Sequence, residues 1–323
     1  MNEINMKAYA KINLSIDVIG KRTDGYHDVR MVMQQIDLCD IVNIRYVEKG
    51  GSGLISISTD SDDLPADGSN IAWKAAALMR GVFPDKGKGD IVIHIEKRIP
   101  IAAGLAGGSA DAAAVLHGLN TLWGCGLSVS ELIELGVRLG ADVPFCLMGQ
   151  AAANFSAGSY PHILWPSGEA VSTCALAEGI GEILTPLTPL KAFLILSKPD
   201  ISVVTANIYG SLNMEEISRR PDTPAIIHGL QSGDFHEVKI AMYNVLEEVS
   251  TRKYPIIQKE IQILRKVAVD ERVMMSGSGP TVFALISDEI RARTIFNKYS
   301  ELKIAPSPIM SRTLFPRTSI PLS

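Results

Sequence analysis

The stretch Pro100-Ile101-Ala102-Ala103-Gly104-Leu105-Ala106-Gly107-Gly108-Ser109-Ala110-Asp111 opens on a proline, passes three glycines and runs directly into an apolar repeat. Behind it Ala112, Val115, Leu116, Leu119 and Leu122 recur at three- and four-residue steps, the spacing of one helix face. Ser109 is the expected N-cap, and Gly124 or Gly126 falls near the expected stop. A helix N-terminus carries unpaired N–H groups and the positive end of the dipole, and small residues let those N–H groups approach a ligand closely. The loop therefore suits a phosphate. Two better-known phosphate loops are excluded residue by residue. A Walker loop ends in Gly-Lys-Ser/Thr, whereas Gly108 is followed by Ser109 and Ala110; a dinucleotide fingerprint needs glycine where Ala106 stands. A simple helix-capping loop would read the same way, so other segments have to decide.

Composition narrows the field. At 323 residues two domains are expected, and 46% apolar with 20% charged residues is ordinary globular usage. A net charge of −4, a pI near 5.9 and scattered basic residues offer no footprint for nucleic acid or an anionic membrane. The anion is thus expected to be small. Cys39, Cys125, Cys146 and Cys174 form no C-x-x-C pair and no metal-like spacing with histidine, which points to free thiols in a reducing compartment and to no protein-built metal site. The first fourteen residues carry Glu3, Lys7 and Lys11 without a long apolar run, and no stretch approaches a membrane span, so a cytoplasmic protein is expected.

The first strand is legible from its alternation. Ile12, Leu14, Ile16 and Val18 interleave with Lys11, Asn13, Ser15 and Asp17, so Lys11 and Asn13 should share a face. A turn follows at Thr23-Asp24-Gly25, then strands over 41–47, 54–58 and 91–95, with a helix over 70–80. Ser128 and Glu131 fit a capping box for a helix that should stop at Gly140, after which Ala141-Asp142-Val143-Pro144 reads as a loop. An acidic side chain just past a helix C-terminus gains nothing from the dipole, which makes Asp142 anomalous. Residues 149–153 and 175–179 read as strands, and 154–175, broken by Gly158, Pro161, Pro166 and Gly168, as a loop-like insertion. Beyond it the pattern predicts a strand at 192–196, helices at 234–248 and 256–267, a strand at 281–286, a helix at 289–299 and a strand at 309–314. The Thr185-Pro186-Leu187-Thr188-Pro189 run divides the chain into domains over 1–185 and 186–323.

A second glycine-rich turn, Met275-Ser276-Gly277-Ser278-Gly279-Pro280-Thr281, lacks the Gly-x-Ser-x-Gly spacing of a hydrolase elbow. It reads either as a tight hairpin-like turn or as a second anion nest facing the first across a cleft between the domains.

Four segments in order, Ala8-Tyr9-Ala10-Lys11-Ile12-Asn13-Leu14, the Gly104–Asp111 loop, Gly140-Ala141-Asp142-Val143-Pro144 and the Met275–Thr281 turn, resemble those of the GHMP small-molecule kinases. Within that group, Asp24-Gly25-Tyr26-His27 and the paired Lys11 and Asn13 resemble the 4-diphosphocytidyl-2-C-methyl-D-erythritol kinases of the non-mevalonate isoprenoid pathway. The resemblance, which spans residues 8–314, implies an α+β fold of two domains: an N-terminal ribosomal-S5-domain-2-like unit and a C-terminal ferredoxin-like α+β unit, with the active-site cleft between them. It implies transfer of the ATP γ-phosphoryl group, with Mg²⁺, to the 2-hydroxyl of a cytidine-diphosphate-linked methylerythritol by a monomer or homodimer. Asp142 becomes the catalytic base and Lys11 the cation beside it. Pro100, Ile101, Ala102, Ala103, Gly104, Leu105, Ala106, Gly107, Gly108, Ser109 and Ala110 become the phosphate cradle, with Asn70 and Lys97 toward the nucleoside. Asn13, Tyr26, His27 and Thr205 fall at substrate-binding positions. A GHMP kinase for another small alcohol, such as mevalonate or homoserine, is the alternative, and the Tyr26-His27 pair argues against it. Three departures stand out. Ala106 and Ala110 replace a glycine and a serine of the common Gly-Leu-Gly-Gly-Gly-Ser-Ser loop, and the 154–175 insertion has no counterpart. Ala106 would be strained at positive φ.

Overall fold

Two long strands, β1 (Glu3–Lys21) and β2 (His27–Val47), organise the first half of the chain. In the computed structural model, which describes residues 2–48, 52–156, 171–304 and 307–315, they pair antiparallel from end to end. β2 is long enough to serve three partners. Besides β1, it takes β4 (Asp90–Glu96) along Ile41–Val47 and β5 (Cys174–Glu178) along Met31–Gln34. β3 (Ile55–Thr59) runs parallel to β4, the two joined by the crossover helix α1 (Ile71–Val82), and β6 (Ile183–Leu187) pairs with β5 at the other edge. The sheet order is β3-β4-β2-β5-β6, with β1 on β2.

One face of this sheet is covered by α1 and α2 (Gly107–Leu122), followed by α3 (Val129–Val137) and α4 (Val143–Ser156). Ala72, Ala75 and Met79 of α1 and Val115, Leu116 and Leu119 of α2 are buried against Val42, Ile44, Ile91 and Ile93. The chain leaves the first sheet at Leu187 and enters a second at β7 (Phe193–Ser197), so the boundary placed at 185 falls inside β6. The second sheet, all antiparallel in the order β10-β7-β9-β8, also contains β8 (Arg272–Met275), β9 (Val282–Ile286) and β10 (Ile309–Arg312). Around it lie α5 (Thr205–Tyr209), α6 (Thr223–Ser232), α7 (Phe235–Ala241), α8 (Leu246–Lys253), α9 (Pro255–Val267) and α10 (Glu289–Glu301). The two halves share a core. Ile12 and Leu14 of β1 pack with Leu194, Leu196, Phe283 and Leu285 of the second sheet.

Four local expectations change. The helix behind the first glycine loop starts at Gly107, with Ala106 rather than Ser109 in the cap position and no side chain capping it. The loop read over 141–144 is only a turn at Ala141 and Asp142: α4 starts at Val143, and the carbonyl of Asp142 accepts its first bond, from Cys146 N at 3.1 Å. Pro144, which suggested a loop, fits a first helical turn because its missing N–H would have no intrahelical partner there. Residues 149–153 are helical, as a run of alanines prefers, and α4 continues to Ser156; most of the proposed insertion, 157–170, lies outside the described residues. The single helix expected over 234–248 is two, α7 and α8, broken around Asn244.

Ala106 has φ 57° and ψ 31°, the left-handed region that alanine avoids. Its cost is about 1–2 kcal/mol, against which glycine adds entropy to the unfolded chain. Ala106→Gly is therefore expected to stabilise the protein by about 0.5–1 kcal/mol, measured as a rise in denaturant midpoint at constant slope. An unchanged or lower midpoint would show that the turn does not carry this strain.

Candidate active site

The first glycine loop is built into its surroundings at three points. The N–H of Lys11 donates to Leu105 O at 3.1 Å, that of Thr281 to Ala103 O at 3.3 Å, and the Ser276 hydroxyl to Gly104 O at 3.0 Å. Gly104 has φ 74°, and a Cβ there would lie 2.4 Å from Ser276 O, so only glycine allows the second turn to come this close. The second glycine turn therefore does not face the first across a gap. It joins β8 to β9, its own N–H groups at Ser276 and Gly279 are bonded to Thr281 O and Ser276 O, and it buttresses Gly104. Ala103 and Leu105 are likewise anchors, buried with their carbonyls occupied. The uncapped start of α2 at Gly107, Gly108 and Ser109 is the part of the loop with the free-donor geometry of a helix N-terminus.

β1 carries the polar side chains to this point. Register shifts on either side of Lys11–Asn13 mark β-bulges, which re-aim side chains along a strand. The buried Lys11 ammonium donates to Asn13 Oδ1 at 2.7 Å and lies 3.8 Å from Asp142 Oδ2. Asp142 is 34% exposed and heads α4, at the positive end of the helix dipole, which accounts for a carboxylate that the expected loop left unexplained. Asp17, on the same alternation, is used elsewhere, in a pair with Arg220.

These groups line a cleft of about 590 Å³, within the usual size of small-molecule sites. Its far end is aromatic. Tyr26 is 60% exposed, on a turn fixed by its N–H donating to Asp24 Oδ1 at 3.0 Å. The His27 ring lies 5.4 Å from that of Tyr209, tilted by 39°. Burial, and secondarily the charge of Lys21, hold the His27 pKa below its usual value, so the ring is neutral at pH 7 and offers one donor and one acceptor. Thr205, the first residue of α5, bonds its hydroxyl to that of Ser278 at 2.9 Å on the opposite wall.

Two residues expected toward the nucleoside carry structural bonds in the fold. Asn70 caps α1, accepting from Ala72 N at 2.9 Å and donating to Pro65 O at 2.8 Å. The buried Lys97 ammonium bonds Asp40 and, at 3.0 Å, Asp111 Oδ2, directly beneath Gly107, whose added Cβ would lie 3.2 Å from Lys97 Nζ. Asp40 also accepts from the N–H groups of Arg98 and Ile99. Asp111 has an unpartnered Oδ1, and burial pushes its pKa up to about 8 against the attraction of Lys97. Pro100 and Ile101 face a second, polar cleft of about 800 Å³ with Arg98, Asp60 and the edge of Lys97.

The family match spans both halves of this arrangement. The GHMP kinases N terminal domain matches residues 70–150, and the GHMP kinases C terminal domain matches 226–304. A 4-diphosphocytidyl-2-C-methyl-D-erythritol kinase of Alkaliphilus metalliredigens is 42% identical over 308 residues, 94% of each chain. The chain belongs to this kinase family, within the GHMP kinases. A second member, from Alkaliphilus oremlandii, is 45% identical over 93% of this chain and 94% of its own. A crystal structure of 4-(cytidine 5'-diphospho)-2C-methyl-D-erythritol kinase superposes with a TM-score of 0.72 at 27% identity, over 97% of this chain and 99% of that one. A homoserine kinase from Cytophaga hutchinsonii, at 16% identity and a TM-score of 0.66, shares the fold.

For this GHMP kinase, sequence reading had brought Lys11, Asn13, Tyr26, His27, Gly104, Asp142 and Thr205 forward, and all line one cleft. Tyr209, not singled out in the sequence, and Ser278, read only as part of the second glycine turn, line the same cleft. Tyr209 lies four residues after Thr205, one helical turn, which was the available signal; Ser278 is placed only by the folding of the second turn.

Asp111 gives a stability prediction. A carboxyl with a pKa of about 8 in the fold, against 3.8 as the ordinary value, binds more protons folded than unfolded between those limits. Its contribution is complete below the lower value and is lost as pH rises through the higher one. Asp111→Asn is expected to flatten the decline in denaturation midpoint between pH 4 and 8, and an unaltered profile would remove Asp111 as its source.

Proposed function

We propose that this kinase transfers the γ-phosphoryl group of ATP to the 2-hydroxyl of 4-(cytidine 5'-diphospho)-2-C-methyl-D-erythritol, in the non-mevalonate route to isoprenoid precursors. The observation that carries the mechanism is the meeting of Lys11 and Asp142 at 3.8 Å, from distant parts of the chain, in one cleft with Gly104 and the Tyr26–His27–Tyr209 group. The near-relatives bearing this name support the substrate assignment.

Phosphoryl transfer asks a protein mainly to position groups and to neutralise charge. In this reading the ATP phosphates rest on the N–H groups of Gly107, Gly108 and Ser109, and the nucleoside lies toward Pro100 and Ile101. Cytosine stacks at the aromatic end, with the neutral His27 imidazole at its polar edge. Asp142 takes the proton of the 2-hydroxyl as its oxygen attacks the γ-phosphorus. The bond to the β-phosphate oxygen breaks, ADP leaves with the electron pair, and Asp142 passes the proton to solvent. Lys11, oriented by Asn13, offsets charge on the transferring group. Among the described residues no three acidic, histidine or cysteine side chains gather to cage a metal. Mg²⁺ needs no such cage, because it keeps several waters and binds through substrate phosphates and one or two carboxylates. The Ser109 hydroxyl at the start of α2 would be the protein oxygen donor beside the phosphates, and the ion would supply their charge neutralisation.

Asp142→Asn keeps the shape but cannot accept the proton, so kcat should fall about 10²–10⁴-fold with ATP binding retained. Lys11→Ala should also depress kcat, and the double variant should lose much less than the product of the single losses, since the two act as a unit. Full turnover in Asp142→Asn, or multiplicative losses, would overturn the mechanism. At the other end, Tyr26→Ala and Tyr209→Leu should each weaken the cytidine substrate by about 1–3 kcal/mol, read as KM, and leave the KM for ATP nearly unchanged. Equal rises for both substrates would exclude a cytosine slot.

A further inference from the structure

Asn244 stands in the gap that divides α7 from α8, and it is 1% exposed. Its side-chain amide is almost fully used. Nδ2 donates to Met275 O at 2.9 Å and to Gly277 O at 2.8 Å, while Oδ1 accepts from Leu246 N at 3.0 Å and so caps α8. The backbone around it joins β1: Ile16 N donates to Tyr243 O at 3.0 Å, and Val245 N to Ile16 O at 3.1 Å. One residue thus ties the strand that carries Lys11 and Asn13 to the turn that carries Gly277 and Ser278.

That turn needs a hold. Gly277 and Gly279 both have positive φ, and Gly277 seats on the first loop where a Cβ would lie 3.0 Å from Gly104 O. Two further side-chain holds on the turn come from the helix that Asn244 caps, with Ser250 Oγ donating to Ser278 O at 2.9 Å and Glu247 accepting from Met275 N at 2.8 Å; the Thr205 and Ser276 hydroxyls supply the others. Asn244 itself does not line the cleft.

We infer that Asn244 is a positioning residue for the transfer reaction, setting the second glycine turn against β1 so that Gly104 and Ser278 stand at the right distance from Lys11 and Asn13. The inference rests on the kinase reading above. Positional errors of about 1 Å remote from the chemistry cost on the order of 10²-fold in rate.

Asn244→Ser separates this role from capping, because serine keeps an oxygen acceptor for α8, while the two amide N–H donors to the turn are lost and its single hydroxyl sits on a shorter arm. The full-length variant is expected to melt within about 3 °C of the wild type. Its kcat should fall about 10–100-fold, with the KM for each substrate within about threefold, the pattern of lost transition-state alignment. Asn244→Ala should show the same loss of kcat together with a lower melting temperature. A wild-type kcat in Asn244→Ser, a raised KM at constant kcat, or failure of the serine variant to fold would each overturn the inference, the last by making Asn244 a folding determinant. The wild type run beside it distinguishes the two readings. An inactive wild type sinks the kinase assignment and this inference with it, whereas an active wild type matched by Asn244→Ser sinks the inference alone.

Discussion

The close approach of Gly104 to the second glycine turn is the constraint on which the rest of the molecule depends. It is possible only because neither Gly104 nor Gly277 carries a side chain, and it fixes the first loop from the side opposite Lys11. With its carbonyls held at Ala103, Gly104 and Leu105, the loop delivers the start of α2 in one orientation. In the proposed reading a phosphate then meets N–H groups that need no reorganisation, which is where preorganised electrostatics gain most.

Charge is arranged in two tiers around this loop. Beneath it the buried Asp40–Lys97–Asp111 group anchors β2, the end of β4 and α2 to one another. Above it, Lys11 and Asp142 stand in the cleft. The same chemistry therefore serves two purposes. The lower tier is closed off by burial and works on the fold, while the upper tier leaves Asp142 partly open to solvent.

Legibility in the sequence followed the range of the interactions involved. The alternation of β1, the helical period of α2 and the capping box at Ser128 are local patterns, and these elements appear where expected, although α2 is buried on every side from Ala110 to Asn120 and not on one face alone. The head of α4 was misread because Pro144 suggested a break, and the break at Asn244 was invisible because its reason lies in Met275 and Gly277. Lys97 illustrates the same limit: the resemblance placed it toward the nucleoside, but only the fold shows the two carboxylates that hold it. Tyr209 and Ser278 gained their places from the packing of α5 and the second turn against β1 and the first loop, which no local pattern encodes.

β1 belongs to both halves, and this limits how the chain can be divided. Ile12 and Leu14 are buried by Leu194 and Phe283 of the second sheet, so a fragment ending after β6 would leave a greasy seam open to water. Neither half is a portable module that recombination could move to another protein intact. Any enlargement of a side chain on one side of the seam demands room on the other.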